Sequence, residues 1–81
     1  MDRFSATVVS VHRTRGHARL DDGELIFFDR RDFINRAAFR TVRADSCIFC
    51  FLGPDLMRPG RHRATRIFVG PRWNQGFTLA V

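Results

Sequence analysis

Three groups of residues in this chain are of types that do chemistry. Cys47 and Cys50 form a C-x-x-C pair, the spacing used by zinc ligands and redox thiols. Asp21, Asp22 and Glu24 gather carboxylates around Gly23, as a cation site would. His12, His17 and His62 supply imidazoles. None of these completes a reactive set. A structural zinc wants four ligands, and neither a second C-x-x-C nor an H-x-x-x-H follows. On a strand, residues i and i+3 point to opposite faces, so the two thiols cannot converge, and both read as ordinary reduced cysteines. The acidic group reads as a tight turn in which Gly23 supplies a positive φ. The histidines lack the Ser, Cys or carboxylate spacing of a nucleophile and base. Phosphate or base contact is open to His12 and His17, and solvent to His62. No catalytic residue, metal site or cofactor is expected, and the chain does not read as an enzyme.

The charge carries more information. Fourteen basic residues, all of them arginine, face eight acidic ones, for a net +6 on 81 residues. Such an excess favours polyanions, with nucleic acid first and an anionic membrane or acidic protein second. Guanidinium stacks on bases and forks onto phosphates where ammonium does not. A genome rich in G and C accounts for the absence of lysine equally well. At this length the chain is one small domain, and a 44% hydrophobic content is that of a folded protein. Its longest apolar run is about six residues, against the roughly 20 of a spanning helix, so no spanning segment is expected, and with nucleic acid ranked first no membrane is counted among the partners. The N-terminus has no secretory pattern, which makes a cytoplasmic address the default expectation.

The elements that must position these residues are strands. "FSATVVSVH" alternates and is rich in Val and Thr. "GHARL" and "ELIFFD" flank "DDG", a hairpin signal. "RRDFINRAAFRTVRAD" has too little apolar periodicity for a long helix and reads as a loop with one helical turn. "SCIFCFL" and "ATRIFV" complete five strands, separated by "GPD" and by the basic loop "RPGRHR". Five short strands with a long connection between the third and fourth predict an all-β, five-stranded antiparallel Greek-key barrel, of OB or SH3-like type.

In that frame the residues resemble the bacterial cold-shock domain over roughly residues 6 to 67. "ATVVSVHRTRGHARL" aligns without a gap on the family's "GTVKWFNxxKGFGFI", with Arg15 and Gly16 at the Lys-Gly positions. "LIFFDRRDF" follows "DVFFHRSDL", "AFRTVRADSCIFC" echoes "GFKTLxxGxxVxF", and "ATRI" echoes "AANV". The resemblance implies an OB-fold that binds single-stranded RNA or DNA, RNA in preference, with low sequence specificity. It implies inward Val8, Val11, Leu20, Ile26, Phe28, Ile48 and Cys50, with Cys47 outward. It sets Phe27 and Phe39 outward as base-stacking residues. The barrel would span residues 1–69, leaving 70–81 as a tail or short extra strand packed on it.

The departures fall on the binding face. Ser10 stands at the family's Trp position, His17 and Arg19 at two aromatic positions, and Asp29, which repels phosphate, at a His. One account keeps the function: His17 and Arg19 are flat groups able to stack. Arg13, Arg15, Arg30 and Arg40 would line the groove, and Arg61 and Arg63 of the basic loop would border it. The other account reuses the fold as a protein-interaction or oligomerisation module. It would act through the altered hairpin or through a homodimer face bearing Phe49 and Phe51, with Trp73 and Phe77 of the tail as a candidate cover. A weaker third reading is a small basic subunit of a ribonucleoprotein.

Overall fold

Alternation of inward apolar and outward polar side chains sets each strand, as expected for a sheet with one buried face. A computed structural model of the chain describes residues 3–70. Its strands are β1 (Phe4–His12), β2 (Arg15–Leu20), β3 (Leu25–Asp29), β4 (Cys47–Pro54) and β5 (His62–Val69). They close into a barrel in the order β1-β2-β3-β5-β4, with β4 returning to β1. The neighbours are antiparallel except for β3 and β5, which run parallel through Ile26↔His62 and Phe27↔Arg63. The barrel is therefore mixed rather than purely antiparallel. Five strands in a closed ring cannot alternate direction at every pair, so one neighbouring pair, here β3 and β5, runs parallel. Strand number, order and the parallel closure are compatible with an OB-fold.

Two bulges hold the alternation in register. Val8↔Ala18 is followed by Ser10↔His17, so Val9 is an extra residue in β1. With both Val9 and Ser10 outward, Val8 and Val11 can face inward although they lie three residues apart. In β5, Thr65 pairs with Phe51 and Phe68 with Phe49, which leaves Arg66 as the extra residue, at φ 48°. Ala64 and Ile67 thereby both reach the core.

Ile26, Ile48, Ile67, Val8 and Cys50 are the largest fully buried side chains. Each large aliphatic one contributes roughly 1.5–3 kcal/mol by leaving water. The inward positions expected from the sequence are occupied accordingly, with Val11 only partly buried. Gly16 lies against this core where β1 and β2 cross. A Cβ there would come 2.5 Å from Phe28 Cζ and 2.7 Å from the Ser10 carbonyl. The β2–β3 turn closes as read, with Gly23 at φ 93° and Glu24 N donating to Asp22 Oδ1 at 2.8 Å.

The long connection holds two 3-10 turns, Arg30–Asp32 and Arg36–Thr41, rather than one. Asp29 caps the first by accepting from Arg31 N at 3.0 Å, while Asp32 accepts from Asp29 N at 2.9 Å. Asn35 caps the second through Ala37 N at 2.9 Å. Both turns serve the core. Phe28, Phe33 and Phe39 form an edge-to-face chain with centroids 5.7 and 5.3 Å apart. This corrects the expectation for Phe39: it is 8% exposed and cannot stack on a base. A loop has no period-2 alternation to fix which way a side chain points, and the apolar ring went to the core.

The thiols face opposite ways. Cys47 pairs with Thr7 on the outer side, and Cys50 is fully buried. Burial pushes the Cys50 thiol up to about 11 and raises Cys47 as well, so neither is poised as a thiolate. The readings of Trp73 and Phe77, and of residues 71–81 as a cover, lie outside the described residues.

Candidate nucleic-acid interface

The outer face of β1, β2 and β3 is a grid set by register. Across it run the rows Thr7–Arg19–Leu25, Ser10–His17–Phe27 and His12–Arg15–Asp29. Phe27 is paired in turn with Arg63 of β5, which extends the middle row to a fourth strand. Ser10 Oγ lies 3.1 Å from His17 Nδ1, which fixes the imidazole plane, and the His17 and Phe27 rings lie 6.0 Å apart at 35°. Flat groups thus stand side by side on adjacent strands, with Arg19 exposed in one flanking row and Arg15 in the other.

Two further arginines sit at one edge of this grid. Arg13 occupies the β1–β2 turn at φ 59°, and Arg30 N donates to Thr14 O of that turn at 2.7 Å. The hydrogen bond ties the first 3-10 turn to the hairpin and puts both residues at the Arg15 end of the sheet. Arg13, Arg19, Arg30, Arg40 and Arg61 make no ion pair among the described residues. Arg36, Arg43 and Arg66 share this lack of an ion pair, so pairing alone does not single out the hairpin arginines.

Several sequence-predicted residues have other work. Asp29 caps the first 3-10 turn. Its carboxyl is held below its ordinary range by the Arg31 N–H, against the opposing effect of burial, and by the guanidinium groups of Arg31 and Arg15. Those pairs span 3.4 and 4.0 Å, so the carboxylate is locally neutralised and its repulsion of phosphate is muted. Arg63 is bonded to Asp32 of the first 3-10 turn and reinforces the closure between β3 and β5. Arg40 lies in a separate groove of about 750 Å³ with Arg43, Asp45 and Gly70, sharing no residue with the cleft beside Phe27. His62 is exposed, as expected, and its Nδ1 also lies 2.6 Å from Glu24 Oε2.

One residue of the face escaped the sequence reading. Arg58 of the β4–β5 loop lies over the Phe27 ring, its Cζ 4.0 Å from the centroid, and its Nη1 donates to Asp55 Oδ2 at 3.2 Å. No sequence signal marks it, because the pairing of Phe27 with Arg63 that brings this loop up to Phe27 shows only in the structure. Asp55 is only 8% exposed. Burial opposes its charge, but the N–H groups of Met57 and Arg58 and the Arg58 guanidinium outweigh that and keep its carboxyl below the usual range. Between loop and hairpin lies a cleft of about 160 Å³ lined by Arg15, Phe27, Arg31, Met57 and Arg58 among others.

The opposite surface is apolar. Phe49 and Phe68 stack across β4 and β5 with centroids 5.5 Å apart, and the Arg3 guanidinium lies over both rings at 6.0 and 5.2 Å. Comparison with protein-family models, curated proteins and solved structures finds no match for this chain.

Proposed function

We propose that this chain binds single-stranded nucleic acid, RNA or DNA, through the outer face of β1–β3, as a cold-shock-like OB-fold does. The carrying observation is the row Ser10–His17–Phe27, in which two flat rings stand on neighbouring strands, bordered by Arg15 and Arg19. Every base has a face to stack, so such a row accepts bases with little regard to sequence. Arg13, Arg19 and Arg30 meet the backbone phosphates. Binding is more electrostatic and less stacking-driven than the resemblance implies, since Ser10 and Arg19 replace aromatics and Phe39 is withdrawn into the core. No bond-making chemistry belongs to this reading.

A second reading, a homodimer or protein contact through β4 and β5, draws on the Phe49/Phe68 stack and half-buried Phe51. Arg3 already covers the two stacked rings, which makes this face less in need of a partner. The test is fluorescence anisotropy with labelled oligo-U, oligo-dT and a duplex of equal length, at about 50 and 200 mM salt. Single strands are expected to bind more tightly than duplex and to lose affinity with Phe27→Ala. Equal, weak binding that vanishes at the higher salt and ignores Phe27→Ala would overturn the reading.

A further inference from the structure

A bare aromatic ring is the usual stacking surface for a base, yet the Phe27 ring is not bare. Arg58 lies on it at 4.0 Å, so a base and this guanidinium compete for the same plane. We infer that the nucleobase stacks on the outer side of Arg58, with Phe27 as the support beneath. The inference rests on the single-strand reading above and names the residue that meets the base.

Two things hold Arg58 in place. Its backbone is fixed in a closed loop: Arg58 N donates to Asp55 O at 3.2 Å, Arg61 N to Arg58 O at 3.0 Å, and Asp55 N to Arg61 O at 3.0 Å. Its head is held by the Asp55 carboxylate, itself oriented by Met57 N at 2.9 Å. The side chain nevertheless remains 45% exposed, so one side rests on Phe27 and part of the rest is open to a ligand. A base that displaced Arg58 would exchange a cation–π contact and an ion pair for one stack of similar worth. A base that settles on the guanidinium keeps both contacts and adds the stack. Guanidinium suits this role because it is planar and weakly hydrated, and the edge N–H groups that Asp55 does not take stay open to a base carbonyl or a phosphate. Met57, 78% exposed and lining the same cleft, gives the base a soft apolar neighbour.

The test is oligo-U anisotropy on the full chain carrying Arg58→Ala, Arg58→Lys or Arg36→Ala, with a thermal melt of each. Arg36 is an exposed arginine of the second 3-10 turn and serves as a control for losing one charge. Arg58→Ala is expected to weaken binding by about 5- to 150-fold, the range for one lost stack. Arg58→Lys, which keeps the charge but not the plane, is expected to weaken it nearly as much, and Arg36→Ala far less. Wild-type affinity in Arg58→Lys would overturn the inference by reducing Arg58 to a charge. Tighter binding in Arg58→Ala would overturn it in the other direction, as a latch that shields Phe27. In both cases the single-strand reading survives. If the wild-type chain binds no single strand, both fall together.

Discussion

Phe27 and Phe39 separate what alternation can fix from what it cannot. Phe27 lies on a strand, where its neighbours Ile26 and Phe28 are buried and its own outward direction follows from the period of two. Phe39 lies on a 3-10 turn, where no such period holds, and it packs edge-on against Phe33 at 86°. The two residues should therefore respond differently to substitution. Phe39→Leu is expected to lose about 0.5–1.5 kcal/mol of edge-to-face packing, lowering the melting temperature while leaving oligonucleotide affinity unchanged. Phe27→Ala is expected to weaken oligonucleotide affinity, with a loss of stability limited to its contacts with His17 and Arg58, and paired melts and titrations check both. Gly16 offers a third test at this scale. Gly16→Ala forces Phe28 and the Ser10 backbone apart, a strain of about 1–3 kcal/mol, visible as a fall of several degrees in melting temperature.

Among the elements, the strands were legible to within two residues because a barrel wall is buried on one side only. The β1 bulge was implicit: placing Val8 and Val11 both inward demands an extra residue between them, and Val9 is that residue. The β4–β5 loop was legible as basic and, through the resemblance, as bordering the groove, but not as ordered. Its order comes from one buried carboxylate, Asp55, which a sequence shows merely as the acid after "GP". Asp55 and Asp29 both order turns, and both have carboxyls lowered from the ordinary 3.8 in the folded chain. A lowered folded pKa stabilises above the unfolded value and stops doing so as pH falls through the folded one. Stability is therefore expected to hold from neutral pH down to about 4 and to decline below it. Urea midpoints measured between pH 2 and 7 check this, and Asp29→Asn with Asp55→Asn should flatten the acid limb. An acid limb as steep in the double variant as in the wild type would remove these two turns from the account.

For the whole molecule, net charge points to a polyanion partner but not to which arginines would meet it. Ion pairing sorts them only in part. Arg63 is committed to Asp32, whereas Arg19 is exposed and makes no ion pair among the described residues. Each phosphate neutralised on a single strand contributes about −0.7 to the slope of log affinity against log salt. Arg19→Ala is expected to reduce that slope by about this amount, and Arg63→Ala to leave it unchanged while lowering stability. The barrel also presents two unlike surfaces, the basic planar grid on β1–β3 and the Arg3-covered phenylalanine pair on β4–β5. The most direct measurement asks which of them a single strand touches: titrate oligo-U into isotope-labelled protein and follow the amide shifts. Shifts at Ser10, His17, Arg19, Phe27 and Arg58, with Phe49 and Phe68 unmoved, are the predicted result. Shifts concentrated at Phe49 and Phe68, or spread over every arginine without a focus at Phe27, would contradict it.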